Sequence, residues 1–425
     1  MGKGKRKGNE SKKSKAVDNE YSDNDIDYEV ASCVSQVGSC GEAPYDEVYD
    51  ESSSAADMLS EHIDNLNEKK SATRMQALNG TLKCLQSNCD VSDSVRGHME
   101  TLNRALVRLI RSASSEKEGI LAVQILCVLA LEMGPDEDSF FEAYFPALKY
   151  AITRSEYHDL RCWAVKAVSF VCFICASDGY DALNFCEEVI SQASEGVYVP
   201  TSLQAVALQA WCLLSSTMPP DVILQRCKNS VFARAAALLE ESETEHKIIS
   251  GGCLAYMWEI ADKVAPNVST DVSGGLLCDD PTVVDSALDS IRQIIRDSSK
   301  RVSKRDKKER KAALKSVEDW ILHGFPPSES VRMIGADVTV NSFTEILVLS
   351  TLRDVLKDGF HSALKCYPVV RDILEVEYVD PGDIEAAESR DDMRFMHSYR
   401  NKLRNSHRRQ QRADKHLSHG GSGFE

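Results

Sequence analysis

The sequence predicts an all-α fold, and three observations carry that prediction. Between Ala55 and about Ser298, apolar residues recur at three- and four-residue spacing. Leu203, Val206, Ala207, Ala210, Trp211 and Leu214 trace one helical face, and Val284, Leu288, Ile291 and Ile295 trace another. No β-alternating run interrupts this stretch. Chain breakers separate the periodic segments at Gly134-Pro135, Ser177-Asp178-Gly179, Pro219-Pro220, Pro266 and Asp280-Pro281.

Taken in order, residues 1–55 form an arm that is first basic and then acidic. Lys3, Lys5, Arg6, Lys7, Lys12, Lys13 and Lys15 come first, and Asp18 to Asp50 is rich in Asp, Glu, Ser and Tyr. Such composition buries too little apolar area to offset chain entropy, so the arm is expected to be disordered alone. The basic part fits a nuclear address, a loose RNA grip or a solubilising tail. No apolar core follows Met1, so no signal peptide is expected.

Residues 56–326 read as a helical repeat domain. The spacing of the breakers suggests paired helices with a period near the ~40–47 residues of HEAT or armadillo units. Stacked pairs would give a curved α-solenoid whose surface binds a partner; a compact irregular helical domain is the competing arrangement. Gly119 to Leu131 is apolar nearly all round, as a helix buried between neighbours would be. Asp136, Asp221 and Thr282 read as helix starts, each offering a side-chain oxygen to the free amides of a first turn. At the end of this region, Ser299 to Trp320 concentrates positive charge. Its Ala313, Leu314, Val317, Trp320 and Ile321 share one helical side, which predicts a helix docked by that seam with a basic face outward. Such a face either is merely solvated or attracts phosphate.

Residues 327–380 form a small, mostly helical block. Val331 to Val340 holds a short extended pair, Ser342 to Phe360 a helix that Gly359 ends or bends, and Tyr367 to Val376 a second helix. The block is expected to dock on the last repeat. Residues 381–425 are a tail that turns basic around a thin seam of Met393, Met396, Tyr399 and Leu403. That seam is too narrow to hold a helix alone, so the tail is either a helix that forms on binding or a disordered nuclear signal.

Composition bounds the function. The 425 residues carry a formal net charge of -16, so contact with nucleic acid has to be local. Most of the fourteen cysteines, Cys127, Cys162, Cys212 and Cys253 among them, sit in apolar helical stretches and read as free thiols in a reducing compartment. The apolar runs are too short to cross a bilayer. The sequence has no glycine-rich phosphate loop, no Gly-x-Ser-x-Gly and no His-Glu-x-x-His. Cys172 and Cys175 have redox or zinc spacing but lie on an apolar helix, where packing explains them. Asp136, Glu137 and Asp138 are explained by a helix N-terminus. Neither an enzyme nor a cofactor or metal site is expected, and a small-molecule substrate is not expected either.

Several stretches together resemble one family. They are Met133-Gly-Pro-Asp-Glu-Asp-Ser-Phe-Phe, Leu160-Arg-Cys-Trp-Ala-Val-Lys-Ala-Val-Ser-Phe-Val-Cys-Phe173, Leu203-Gln-Ala-Val-Ala-Leu-Gln-Ala-Trp-Cys-Leu-Leu214 and Lys304-Arg-Asp-Lys-Lys-Glu-Arg310. Phe325-Pro-Pro-Ser-Glu-Ser-Val-Arg332, Leu352-Arg-Asp-Val-Leu-Lys-Asp-Gly-Phe-His-Ser-Ala-Leu364 and Val370-Arg-Asp-Ile-Leu374 continue the match. In order and spacing they resemble the interferon-related developmental regulators, from about residue 57 to 377. The resemblance implies a ribosome-binding translational regulator whose C-terminal helix occupies the mRNA path of inactive ribosomes. Arg400, Lys402, Arg404, Arg408, Arg409 and Arg412 would then contact that channel. Lys304, Arg305, Lys307, Lys308, Arg310 and Lys311 would clamp a second rRNA surface. The implied partners are rRNA and ribosomal proteins, and the implied location is both cytoplasm and nucleus. As the alternative, the resemblance implies a transcriptional co-regulator that scaffolds histone-deacetylase or other chromatin co-repressor complexes.

Overall fold

The structure, a computed structural model, describes residues 55–87, 91–191, 199–241, 244–266, 270–296 and 304–379. Helices dominate: α1 (Ala55–Asn65), α2 (Ser71–Ser87), α3 (Ser92–Arg111), α4 (Glu116–Met133), α5 (Asp138–Arg154), α6 (His158–Cys175), α7 (Tyr180–Ile190) and α8 (Thr201–Ser215) come first. After α9 (Pro220–Arg226) and a π-helical turn (Cys227–Val231) follow α10 (Phe232–Glu241), α11 (Thr244–Val264), α12 (Thr270–Leu277), α13 (Pro281–Arg296) and α14 (Lys304–His323). A hairpin of β1 (Glu329–Met333) and β2 (Ala336–Val340) precedes α15 (Phe343–Leu356), a 3-10 segment (Lys357–Ser362), α16 (Ala363–Cys366) and α17 (Pro368–Leu374). The fold is all-α with one two-stranded sheet among the described residues.

The helices form two rows. In the first, α2, α4, α6, α8, α11 and α14 each pack on the next. In the second, α3 lies between α1 and α5, while α7 packs on α8, and α10 joins α11 to α13. The difference in sequence between the rows follows from their surroundings. First-row α4 buries nearly every residue from Glu118 to Leu131, and α8 buries all but Gln209 from Leu203 to Ser215. Second-row α3 is amphipathic, burying Val95, Leu102, Ala105, Leu106, Leu109 and Ile110 at helical spacing and leaving Arg104, Arg108 and Arg111 exposed. One buried apolar cluster runs without a break from Leu59 to Val370.

Local chemistry sets the helix ends. The Ser115 hydroxyl accepts from Glu118 N at 3.3 Å to start α4, and Ser342 accepts from Glu345 N at 3.1 Å to start α15. Two expected starts move by a residue or two. Asp136 stands at φ 63° outside α5, whose N-cap is Glu137 without a side-chain bond; the Asp138 carboxylate instead accepts from Ser177 N at 2.7 Å and from the Ser177 hydroxyl, just beyond α6. At α13 the capping oxygen belongs to Asp280, which accepts from Thr282 N at 2.9 Å and Thr282 Oγ1 at 2.7 Å. Pro281 fills the first helical position, where its missing N–H costs nothing, so the cap falls on the residue before it.

The block from β1 to α17 docks on the last helices, as expected, but is not confined to them: it reaches back across α8 and α4 to α2. At the α15 N-terminus, Glu259 of α11 accepts from Phe343 N at 2.7 Å and from Thr344 Oγ1 at 2.6 Å. Near the other end, Asp354 meets Lys166 Nζ of α6 at 2.6 Å. Beyond it, Gln86 of α2 donates to Val355 O at 3.3 Å, and the Tyr367 hydroxyl donates to Leu85 O. A helix of 14 residues is about 21 Å long, enough to span three helices spaced ~8–10 Å apart. Gly359 does not simply end the helix. A Cβ there would stand 2.7 Å from the Gln86 carbonyl oxygen, so its small size permits the contact with α2.

Ten described cysteines are free, and nine of these are buried. Burial pushes the thiols of Cys172 and Cys175 up to about 12, and Cys175 Sγ donates to Ala130 O at 3.6 Å, so this pair packs as expected. Cys366 departs from the all-thiol expectation: it is disulfide-bonded. Among the described residues no helix is long and apolar enough to cross a membrane.

Candidate nucleic-acid interface

The basic boundary stretch is the helix α14, as its spacing predicts. Leu314, Val317 and Ile321 are buried against α11 and α13, and Trp320 tilts against Phe343 with ring centroids 6.4 Å apart. Leu314 enters so deeply that a Cβ on Gly251 of α11 would stand 2.5 Å from its Cδ2. The C-terminal half of the helix is therefore fixed by packing.

Its charges divide along its length. Lys315 is held by Asp319 at 2.9 Å and Glu318 at 3.2 Å, bonds that raise its ammonium above the usual lysine value. Glu318 also faces Arg292 of α13 at 3.6 Å. This half is locally neutralised. Lys311, one turn earlier, is exposed. Lys304, Arg305, Lys307, Lys308 and Arg310 lie on the same continuous helix, and their side chains are outside the described residues. Arg400, Lys402, Arg404, Arg408, Arg409 and Arg412 are outside them altogether. Of the twelve residues singled out in the sequence, the structure thus brings six onto one helix.

A second cationic surface escaped the sequence reading. On the exposed side of α3, Arg104, Arg108 and Arg111 follow one another at four- and three-residue spacing, with Val107 between them and Asn103 beside. Together with Tyr150 of α5 they line an open groove. The Arg111 guanidinium lies 5.0 Å from the Tyr150 ring centroid, and Tyr150 is 43% exposed. Arg108 donates to Leu66 O at 2.9 Å and to Asn67 Oδ1 at 3.3 Å. Arg104 alone has a carboxylate in reach among the described residues, Glu100 at 2.5 Å, and both ends of that pair are more than three-quarters exposed. Solvent leaves such a pair weak. In sequence these arginines look like any solvated helix face; only the approach of Tyr150, some forty residues on, makes a groove of them.

Among the described residues no group of three or more His, Cys, Asp and Glu converges as a metal site would require. Comparison with known proteins gives a consistent result. The family model described as interferon-related developmental regulator (IFRD) matches residues 29–321, from the N-terminal arm into α14. The chain is 25% identical over 331 residues to interferon-related developmental regulator 2 of Mus musculus, covering 74% of this chain and 71% of that protein. It is 23% identical over 347 residues to interferon-related developmental regulator 1 of Mus musculus, covering 78% and 74% respectively. The relatives are named as regulators.

Proposed function

Because the chain belongs to the interferon-related developmental regulator family, we propose that it is a ribosome-binding translational regulator whose basic C-terminal tail occupies the mRNA path of inactive ribosomes. The two helix rows are read as a HEAT/armadillo-like α-solenoid over residues 56–326, with the 327–380 block laid across it and the 381–425 tail becoming helical when bound. The observation that carries the reading is the division of charge on α14. The helix is anchored by Leu314, Val317 and Ile321, neutral at Lys315, and begins with six cations between Lys304 and Lys311. Cations on a backbone already helical spare the chain-ordering part of the cost of meeting phosphate, and counterion release then drives binding. In this reading rRNA and ribosomal proteins are the partners, in cytoplasm and nucleus alike.

Deletion of residues 390–425, followed by sedimentation of lysate through sucrose, tests the tail. Loss of co-migration with ribosomes is the expected result; unchanged co-migration with unchanged repression would overturn its role. Reversal of Lys304, Arg305, Lys308 and Lys311 to glutamate should weaken association and flatten its salt dependence, by roughly 0.7 to 0.9 in log–log slope per lost phosphate contact. If association survives nuclease and the tail variants alter location alone, the reading gives way to a transcriptional co-regulator scaffold bridging chromatin co-repressor proteins.

A further inference from the structure

The groove of Arg104, Arg108, Arg111 and Tyr150 has a matching segment in the same chain. We infer that it is a docking site for the chain's own acidic segment Tyr45-Asp-Glu-Val-Tyr-Asp-Glu51, held in cis along the exposed side of α3.

Three observations place this segment there. The first is the direction of the helices. The hydroxyls of Ser60 and Ser94 stand 3.1 Å apart and Ser94 Oγ donates to Ala56 O, so the beginnings of α1 and α3 lie side by side. At the other ends Arg108 donates to Leu66 O. The helices are therefore parallel, and residue 54 joins Ala55 at the level where α3 begins.

The second is register. Along α3, Arg104 lies about 15 Å and Arg111 about 26 Å beyond Ser94, at 1.5 Å per residue. An extended chain running back from Ala55 reaches about 13 Å at Glu51 and about 30 Å at Asp46, at some 3.3 Å per residue. Asp50 and Glu51 then fall beside Arg104, and Asp46 and Glu47 beside Arg108 and Arg111.

The third is charge. Four carboxylates meet three guanidiniums, two of which have no carboxylate partner among the described residues. Guanidinium–carboxylate pairing is the favoured use of such a fork. A tether of this length also supplies its ligand at an effective concentration in the millimolar range. An acidic peptide or an RNA strand arriving from solution would have to displace it.

Amide hydrogen exchange of the full chain at low salt tests the inference. Peptides covering residues 42–54 should exchange about five-fold more slowly in the wild type than in R104A/R111A or in D46N/E47Q/D50N/E51Q, a surface-pair effect. Arg108 is left alone because it holds the end of α1. The protection should vanish near 0.5 M salt and return when R104E/R111E is combined with D46K/E47K. Equal exchange in all variants overturns the inference. So does a fluorescein-labelled oligouridylate that binds the wild type and the arm-neutralised chain equally and loses affinity only in R104A/R111A, since the groove would then be a nucleic-acid site. Ribosome sedimentation of the 390–425 deletion bears on the tail alone, so the two readings fail separately.

Discussion

At the scale of single residues, the buried pair of Arg74 and Glu118 stands apart from the exposed ion pairs. Arg74 Nε lies 2.6 Å from Glu118 Oε1, with side-chain exposures of 9% and 0%. The remaining donors of Arg74 reach Glu68 O and Lys69 O at 2.9 Å each and Ser114 Oγ at 2.8 Å, while Glu118 Oε2 accepts from Ser114 N at 2.7 Å. Every polar atom is satisfied, so removing one partner strands a charge. Arg74→Met is expected to cost about 3–5 kcal/mol in urea denaturation. Burial alone would raise the Glu118 carboxyl, but the bonds from Arg74 and Ser114 outweigh it and hold it below its usual 4.5. The stabilisation is therefore whole above pH 4.5 and is lost as pH falls through the lower, folded value. Glu118→Gln should flatten the acid limb of a stability-against-pH curve; an unchanged limb would show that this carboxyl is not responsible. None of this is legible in the sequence. Arg74 and Glu118 lie 44 residues apart, and each alone reads as a surface charge.

Helices were legible where their neighbours are local and obscure where they are distant. The seam of Leu314, Val317 and Ile321 could be read from spacing because a helix buries one side whatever it packs on. The hairpin was readable too: Thr339 and Val340 favour strands, and the two-residue turn at Ile334-Gly335 has Gly335 at φ 94°. What could not be read was the path of α15. Its anchors, Glu259, Lys166 and Gln86, sit on three separate helices, and a sequence pattern reports that a face is apolar, not what covers it. Glu259 sits at the positive end of α15, where a carboxylate bonded to free amides is stabilising. Glu259→Gln should cost about 1.5–3 kcal/mol and speed hydrogen exchange across Phe343–Leu356, leaving α3 unaffected. Uniform change across both helices would mean the block is not separately anchored. Gly359→Val, which drives side-chain atoms into the Gln86 carbonyl, should loosen the same region.

For the molecule as a whole, charge and burial are sorted by position. Among the described residues most charges lie at the surface, with Arg74, Glu118, Glu259 and Asp354 buried, while the core is apolar and rich in thiols. Cys127, Cys186 and Cys227 are fully buried and their thiols are driven above the range in which thiolate forms. Alkylation of these cysteines at neutral pH is expected to follow global unfolding, with half-buried Cys162 reacting first. Rapid labelling of the whole set in native buffer would contradict the packing described. This inertness was foreseeable, since cysteines strung along apolar helices behave as small hydrophobes. The disulfide at Cys366 was not, because bonding depends on which cysteines tertiary packing brings together.

The bridge from α2 to α11 also bears on how the protein comes apart. A linear stack touches only nearest neighbours, so it frays from its tips, one repeat at a time. Here Gln86 and Val355, 269 residues apart, tie an early helix to the block that is also anchored on α11 through Glu259. Loss of that strap loosens α2 and α11 together, so the helices between them should unfold in one concerted event, and assembly should wait on a slow, late encounter between distant parts of the chain.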